Sequence, residues 1–241
     1  MSIIPQEKRF TDYFYEFLML FLAVFCGFLA ENLREHKVER EREHQYIISM
    51  IEDLAVDTTN LSSVISIFSN SEFKMDTVLK MYSKLAIGYY DTLRRNLQVV
   101  RGFPDFIYTD RTMQQLKYSG GMRLIRNKKA SDGIMDYDAK VRDLGLDVSN
   151  LGEVHNQTRM LWNRIIDVEG IEQDTKLKSI IEIEKGTKNY LLLDNKSILG
   201  EFNNMIRSYK RGSLLVKTQE EELKEKAIKL ISLLKSEYQL E

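Results

Sequence analysis

The sequence predicts an all-α protein: an N-terminal transmembrane helix that continues into a charged stalk and then a long-helix bundle. Three observations predict it. Apolar residues recur at three- and four-residue steps along most of the 241 positions, which is the signature of amphipathic helices. Only two prolines interrupt the chain, so few breaks are obligatory. Residues 17–30 (FLMLFLAVFCGFLA) are fourteen uncharged, mostly large apolar residues that stop at Glu31, and ten of the next thirteen are charged or His.

Residues 1–12 form a short tail and residues 13–32 the span. Fourteen apolar residues would reach only about 21 Å at about 1.5 Å per residue, short of the roughly 30 Å hydrocarbon core. Tyr13, Phe14 and Tyr15 extend the segment to 18 positions, interrupted only by Glu16. That reaches about 27 Å, and aromatic rings suit the interfacial belt. Glu16 then lies about a turn inside one boundary, as a membrane-edge acid. A cleaved signal fits less well, because Phe28 stands three residues before a cut after Ala30, where a small residue is wanted. Phe25 before Cys26 likewise argues against a lipoprotein.

Residues 33–45 read as a solvated helical stalk. Glu31–Arg34, Lys37–Glu41, Glu39–Arg42 and Arg40–Glu43 are opposite charges at helical neighbour spacing, each worth a few tenths of a kcal/mol. Residues 46–241 are the soluble bundle. One apolar stripe runs Ile47, Ile51, Leu54, Leu61, Ile65, Phe68, with Thr58 filling one place. A second runs Met75, Leu79, Tyr82, Ala86, Tyr89, Leu93, Leu97, Val100. Ser69, Asn70 and Ser71 separate the two and are expected to cap the second. A third stripe comprises Ile134, Tyr137, Val141, Leu144, Val148, Leu151, His155, Thr158, Trp162 and Ile165. A fourth comprises Leu223, Ala227, Leu230, Leu234 and Tyr238. Spacing near 3.5 favours near-parallel packing.

Between the stripes, RGFPDFIYTD at 101–110 is a Gly/Pro turn with three aromatics. A short helix is expected from Thr109 or Asp110 to Gly120-Gly121, where glycine takes a left-handed turn. The segment 167–189 is weaker, and NYLLLD at 189–194 is the one stretch with strand character. The last helix is expected to start near Asn195 and to bend at Gly212.

Lys+Arg total 35 against 36 Asp+Glu, a net charge of −1, so no global basic field recruits nucleic acid. A single Cys26 excludes an intrachain disulfide and a Cys-based zinc site. His36 and His44 lie too far apart to share a metal at the four-residue helical spacing. No catalytic residue, cofactor site or metal site is expected. Asp136 with Asp138, and Asp143 with Asp147, read as carboxylates on wet faces.

Two groups of residues are candidates for binding. SGGMRLIRNKK places Gly120 and Gly121 before Arg123, Arg126, Lys128 and Lys129, a candidate anion or partner corner. It lacks the Walker spacing and follows no strand, so an ordinary interhelical corner is the plainer reading. His155 and Trp162, with Phe103, Phe106 and Tyr108, form a candidate bundle pocket. There His155 is either a core histidine satisfied by a neighbouring helix or a pH-sensing or ligand-binding group. Gly145 and Gly152 either line that cavity or allow close helix approach.

The opening acid, the apolar span, AENLRE and YIISMIEDLAVDTTNL together resemble a large family of uncharacterised bacterial single-pass membrane proteins. TMQQLKYSGGMRLIRNKKASDGIMDYD is similar to the family's second block, and LLLDNKSILGEFNNMI to its third. The resemblance carries no assigned activity. It implies a bacterial inner-membrane protein with a cytoplasmic N-terminus and a periplasmic bundle. This chain has only Lys8 and Arg9 before the span, against Arg34, Lys37, Arg40 and Arg42 after it, and a strict Lys/Arg count favours the opposite side. The side expected here follows the resemblance. The function expected is a non-enzymatic scaffold or accessory subunit, touching membrane lipid and forming a homo-oligomer or part of a larger membrane complex. A membrane-tethered sensor or ligand-binding bundle is the alternative.

Overall fold

On the first helix, the residues that meet the core are Glu43, Ile47, Met50, Leu54, Asp57, Leu61, Val64, Phe68, Ser71, Met75 and Val78, all buried. They alternate steps of four and three without a slip, so one seam of the helix faces its neighbours throughout. The computed structural model describes residues 10–82, 95–167, 191–193 and 195–240. Helix α1 (Phe10–Lys80) is a single unbroken helix of 71 residues, about 107 Å long at about 1.5 Å per residue. After it come α2 (Arg111–Tyr118), α3 (Lys128–Ile165) and α4 (Lys196–Tyr238).

Helices α3 and α4 carry the same seam. On α3, Ala130, Ile134, Tyr137, Leu144, Leu151, His155, Thr158, Trp162 and Ile165 are buried, with Val141 and Val148 packed beside them. On α4 the seam runs from Leu199 through Tyr209, Val216 and Glu220 to Leu234. Asn127 and Asn195 start these two helices, each side chain accepting the N–H three residues on, at 3.1 and 3.0 Å, as N-caps do. Helix α4 runs antiparallel to both partners. Lys210 meets Asp76 at 2.6 Å near the far end of α1, and the Tyr238 hydroxyl donates to Glu43 at 2.6 Å near its base. Against α3, Trp162 packs on Phe202 with ring centroids 6.0 Å apart, and Asn127 donates to Glu237 at 2.7 Å.

All-α architecture is therefore shown among the described residues, and an isolated antiparallel bridge between Ile166 and Leu191 is the only strand-like pairing there. The N-terminal part of α1 is long and apolar enough to cross a membrane, and none of it is covered by the bundle. One expectation is corrected. Ser69–Ser71 do not break α1: the Ser69 hydroxyl donates back to the Ile65 carbonyl at 2.9 Å, and Ser71 takes a buried seam position. Phe68 and Met75 keep the seam in phase across the polar triplet, and that outweighs the capping preference. Helix α4 is continuous through Gly212, which serves close packing: a Cβ there would meet Leu151 Cδ1 at 2.7 Å. Along the charged segment, residues 31–37 and 40–42 are exposed, Val38, Glu39 and His44 are half-buried, and Glu43 is buried. Residues 83–94 of the expected second stripe and 168–189 of the weak segment lie outside the described residues.

Candidate functional site

Pro104 and Gly102 keep residues 101–110 out of a helix, and α1 fixes where that segment runs. Asp57, fully buried, accepts the Thr109 backbone N–H at 2.8 Å and the Tyr137 hydroxyl at 2.8 Å. One turn earlier, buried Asp53 accepts the Thr112 N–H at 2.9 Å and pairs with Arg111 at 2.7 Å. Asn60 adds a hydrogen bond to the Ile107 carbonyl at 3.3 Å. The segment thus bridges α1 and α3. Burial pushes the Asp57 carboxyl up, opposed by the bonds from Thr109 and Tyr137. Burial and the Asp57 charge together push the Tyr137 and Tyr108 phenols up, so both hydroxyls keep their protons.

Phe103, Phe106 and Tyr108 project from this segment toward α3 and leave a cavity of about 440 Å³ between them and the helix. Val141, Gly145, Val148 and Gly152 recur at steps of four and three along its opposite wall. A Cβ on Gly145 would meet nothing within 4 Å, and one on Gly152 only the Phe103 ring at 3.9 Å. These two glycines line the cavity; close helix approach belongs instead to Gly133, against Leu230 at 2.8 Å, and to Gly212. Asp105 and Ser149 are polar members of the lining.

His155 sits behind the cavity, its ring 5.3 Å from Phe103 and 5.2 Å from Tyr209. Burial and the nearby Arg159 lower its pKa, partly offset by the Val100 and Gly102 backbone, so the imidazole is neutral. Its Nε2 has no hydrogen-bond partner among the described residues. Trp162 lies one heptad further on against Phe202 and does not join the pocket. Of the predicted pocket residues, Phe103, Phe106 and Tyr108 line the cavity, His155 stands behind Phe103, and Trp162 lies apart.

Sequence reasoning missed Glu220. It occupies a seam position of α4 with no exposure, and neither carboxylate oxygen has a hydrogen-bond partner among the described residues. Burial first, then the charges of Asp105 and Glu221, push it up to about 8. Its only sequence signal is an acid where the seam of Val216, Leu223 and Ala227 demands an apolar residue.

The basic corner is built differently from an anion site. Arg126 pairs with Glu39 at 2.5 Å and approaches His36 at 3.4 Å, while Lys129 pairs with Glu237 at 2.9 Å. The Arg126 N–H also donates to buried Glu43 at 2.8 Å. Arg126 is thus spent on latching the bundle to α1 and Lys129 on joining α3 to α4; Arg123 and Lys128 are exposed. Gly120 takes the left-handed turn expected of it, with φ of 68°, and Gly121 packs on Leu116. A cleft of about 570 Å³ separates Gly120, Gly121 and Arg123 from Glu31–Tyr46, and its arginines are matched by Glu31, Glu35 and Glu39. Asp138 is not a wet-face acid: it is buried and held by Lys117 at 2.8 Å and by Arg142. Glu16 stands on the exposed surface of α1.

No family model matches this chain, and neither a curated protein nor a solved structure is similar to it.

Proposed function

We propose that this chain is a non-enzymatic, single-pass membrane-anchored protein acting as scaffold or accessory subunit of an envelope complex in a bacterial inner membrane. One observation carries the reading. The apolar residues Phe14–Leu29 and the core residues Glu43–Val78 belong to the same unbroken helix, the former uncovered and the latter buried. A rigid helix of this kind sets the bundle at a fixed distance and angle from the bilayer. Residues 33–45 are the stalk, exposed over 33–37 and 40–42, with Arg34 paired to Glu31 at its membrane end. The resemblance to the bacterial single-pass family supports placing the bundle in the periplasm.

The span also has two unlike sides. Phe17, Phe21 and Phe25 stack along one of them, with centroids 6.3 and 5.9 Å apart. Ala23, Cys26, Gly27 and Ala30 recur at three- and four-residue steps on the other, and small residues let transmembrane helices approach closely. This supports lateral contact with a second copy or with another span. Full-length protein should stay in the membrane through alkaline carbonate washing, and deletion of 1–32 should release a folded helical domain. Oxidative cross-linking through Cys26 in native membranes should trap a dimer if the neighbour is a second copy. A C-terminal alkaline phosphatase fusion should be active. Washing out the full-length protein would sink the anchor, and an inactive fusion would place the bundle in the cytoplasm.

A second reading, a membrane-tethered ligand-binding bundle, is supported by the cavity under Phe103, Phe106 and Tyr108, whose size is that of small-molecule sites.

A further inference from the structure

We propose that the cavity between residues 103–108 and α3 binds a small organic cation, an ammonium group carried on an apolar body. The inference rests on the ligand-binding reading and gives it a ligand class. Three aromatic rings and the Asp105 carboxylate line the cavity, with Val141 and Val148 as apolar wall, and neither Lys nor Arg is among the lining residues. Asp105 is exposed and makes no hydrogen bond or ion pair among the described residues, so its charge is available to a ligand. Aromatic faces and a carboxylate are the two elements that recognise an ammonium ion, the rings through their negative faces and the acid through its charge.

The surroundings favour the same sign. The charges of Asp57, Asp110 and Asp53 all act on Tyr108 in the cavity wall, against Arg142 alone. Arg142 is itself tied to Asp138. Glu220, buried and unpartnered, adds a second carboxyl that feels Asp105. An anionic ligand would meet the Asp105 charge unopposed by any cation in the lining. A neutral one would fill the apolar wall but gain nothing from Asp105.

The test uses full-length protein in nanodiscs of zwitterionic lipid, titrated calorimetrically with benzyltrimethylammonium, benzyl alcohol and benzoate, with empty nanodiscs subtracted. Saturable one-site binding is expected for the cation alone. Asp105→Asn, at an exposed position without bonds to lose, should weaken it about tenfold or more with unchanged circular dichroism. Equal binding of benzyl alcohol or benzoate, or an unchanged affinity in Asp105→Asn, would overturn the cation class yet leave a ligand site. Absence of saturable binding by all three probes would overturn both.

Discussion

The Tyr137 hydroxyl donates to the Asp57 carboxylate across 2.8 Å inside the bundle, where neither side chain meets solvent. Their helices, α1 and α3, are both packed on α4, and this bond joins them directly. The same carboxylate holds the Thr109 N–H, so one buried acid fixes two helices and the segment that walls the cavity.

Removing the two partners should therefore have unequal effects. Tyr137→Phe deletes one bond and leaves Asp57 the Thr109 donor, costing about 1–3 kcal/mol. Asp57→Ala strands a buried hydroxyl and a backbone N–H and opens a void, costing about 3–5 kcal/mol. Chemical denaturation of the full-length protein measures both. A double mutant no worse than Asp57→Ala alone would show that the tyrosine acts through the aspartate.

The pH dependence of stability should be dominated by Glu220. Its folded pKa is raised to about 8 by burial and by Asp105 and Glu221. Sign follows directly: a raised acid pKa means the folded state holds the proton more tightly. That stabilising contribution is complete below the unfolded value near 4.5 and is lost as pH rises toward 8. Melting temperature should fall across this window, Asp57 adding in the same direction. Glu220→Met, apolar and similar in shape, should flatten the profile and raise stability at pH 8 by about 2–4 kcal/mol. A profile unchanged in this variant would refute the assignment.

Glu43 ties the base of the bundle to the stalk, accepting the Arg126 N–H at 2.8 Å and the Tyr238 hydroxyl at 2.6 Å from two different segments. Glu43→Ala should loosen these two places first, because the rest of the seam from Ile47 onward stays intact. Hydrogen exchange should rise at 125–128 and 235–240, with global stability lower by about 1–3 kcal/mol. Uniform loss of protection along α4 would show instead that the latch is part of the main cooperative unit.

The seams were legible to the degree that they are apolar. Every member of the predicted stripe from Ile134 to Ile165 is buried or packed on the core. On α1, Ile47, Leu54, Leu61 and Phe68 of the predicted stripe are buried and Ile51 and Ile65 pack on the core, while Met50, Asp57 and Val64, outside that stripe, complete the buried seam. Asp57 looks like a surface acid until Thr109 and Tyr137, 52 and 80 positions away, are brought to it. Arg126 shows the converse, its acid Glu39 lying 87 positions back. Local periodicity reports which face is greasy; it carries no record of which distant polar group completes a buried one. The aromatic pocket was partly legible because proline and glycine force 101–110 off the helix. Trp162 was misplaced because sharing a stripe does not mean sharing a level.

The glycines give a last discriminating test, since two kinds occur on the seamed helices. Gly145 faces the cavity, and a Cβ there would meet nothing within 4 Å. Gly145→Ala removes the entropic penalty of glycine in a helix without a clash, so it should stabilise the protein by about 0.5–1 kcal/mol. Gly212 faces α3, where a Cβ would come within 2.7 Å of Leu151 Cδ1. Gly212→Ala gains the same helix propensity but must displace a side chain that is itself buried in a close-packed seam. Its net effect should be zero or destabilising. Gly145→Leu extends the first comparison: the added side chain has room only in the cavity, so it should leave folding intact and fill the space under Tyr108. Thermal melts of the three variants give the ordering Gly145→Ala above wild type above or equal to Gly212→Ala. The reverse ordering would mean that Gly145, not Gly212, marks the tight helix contact, and the cavity would lose its opposite wall.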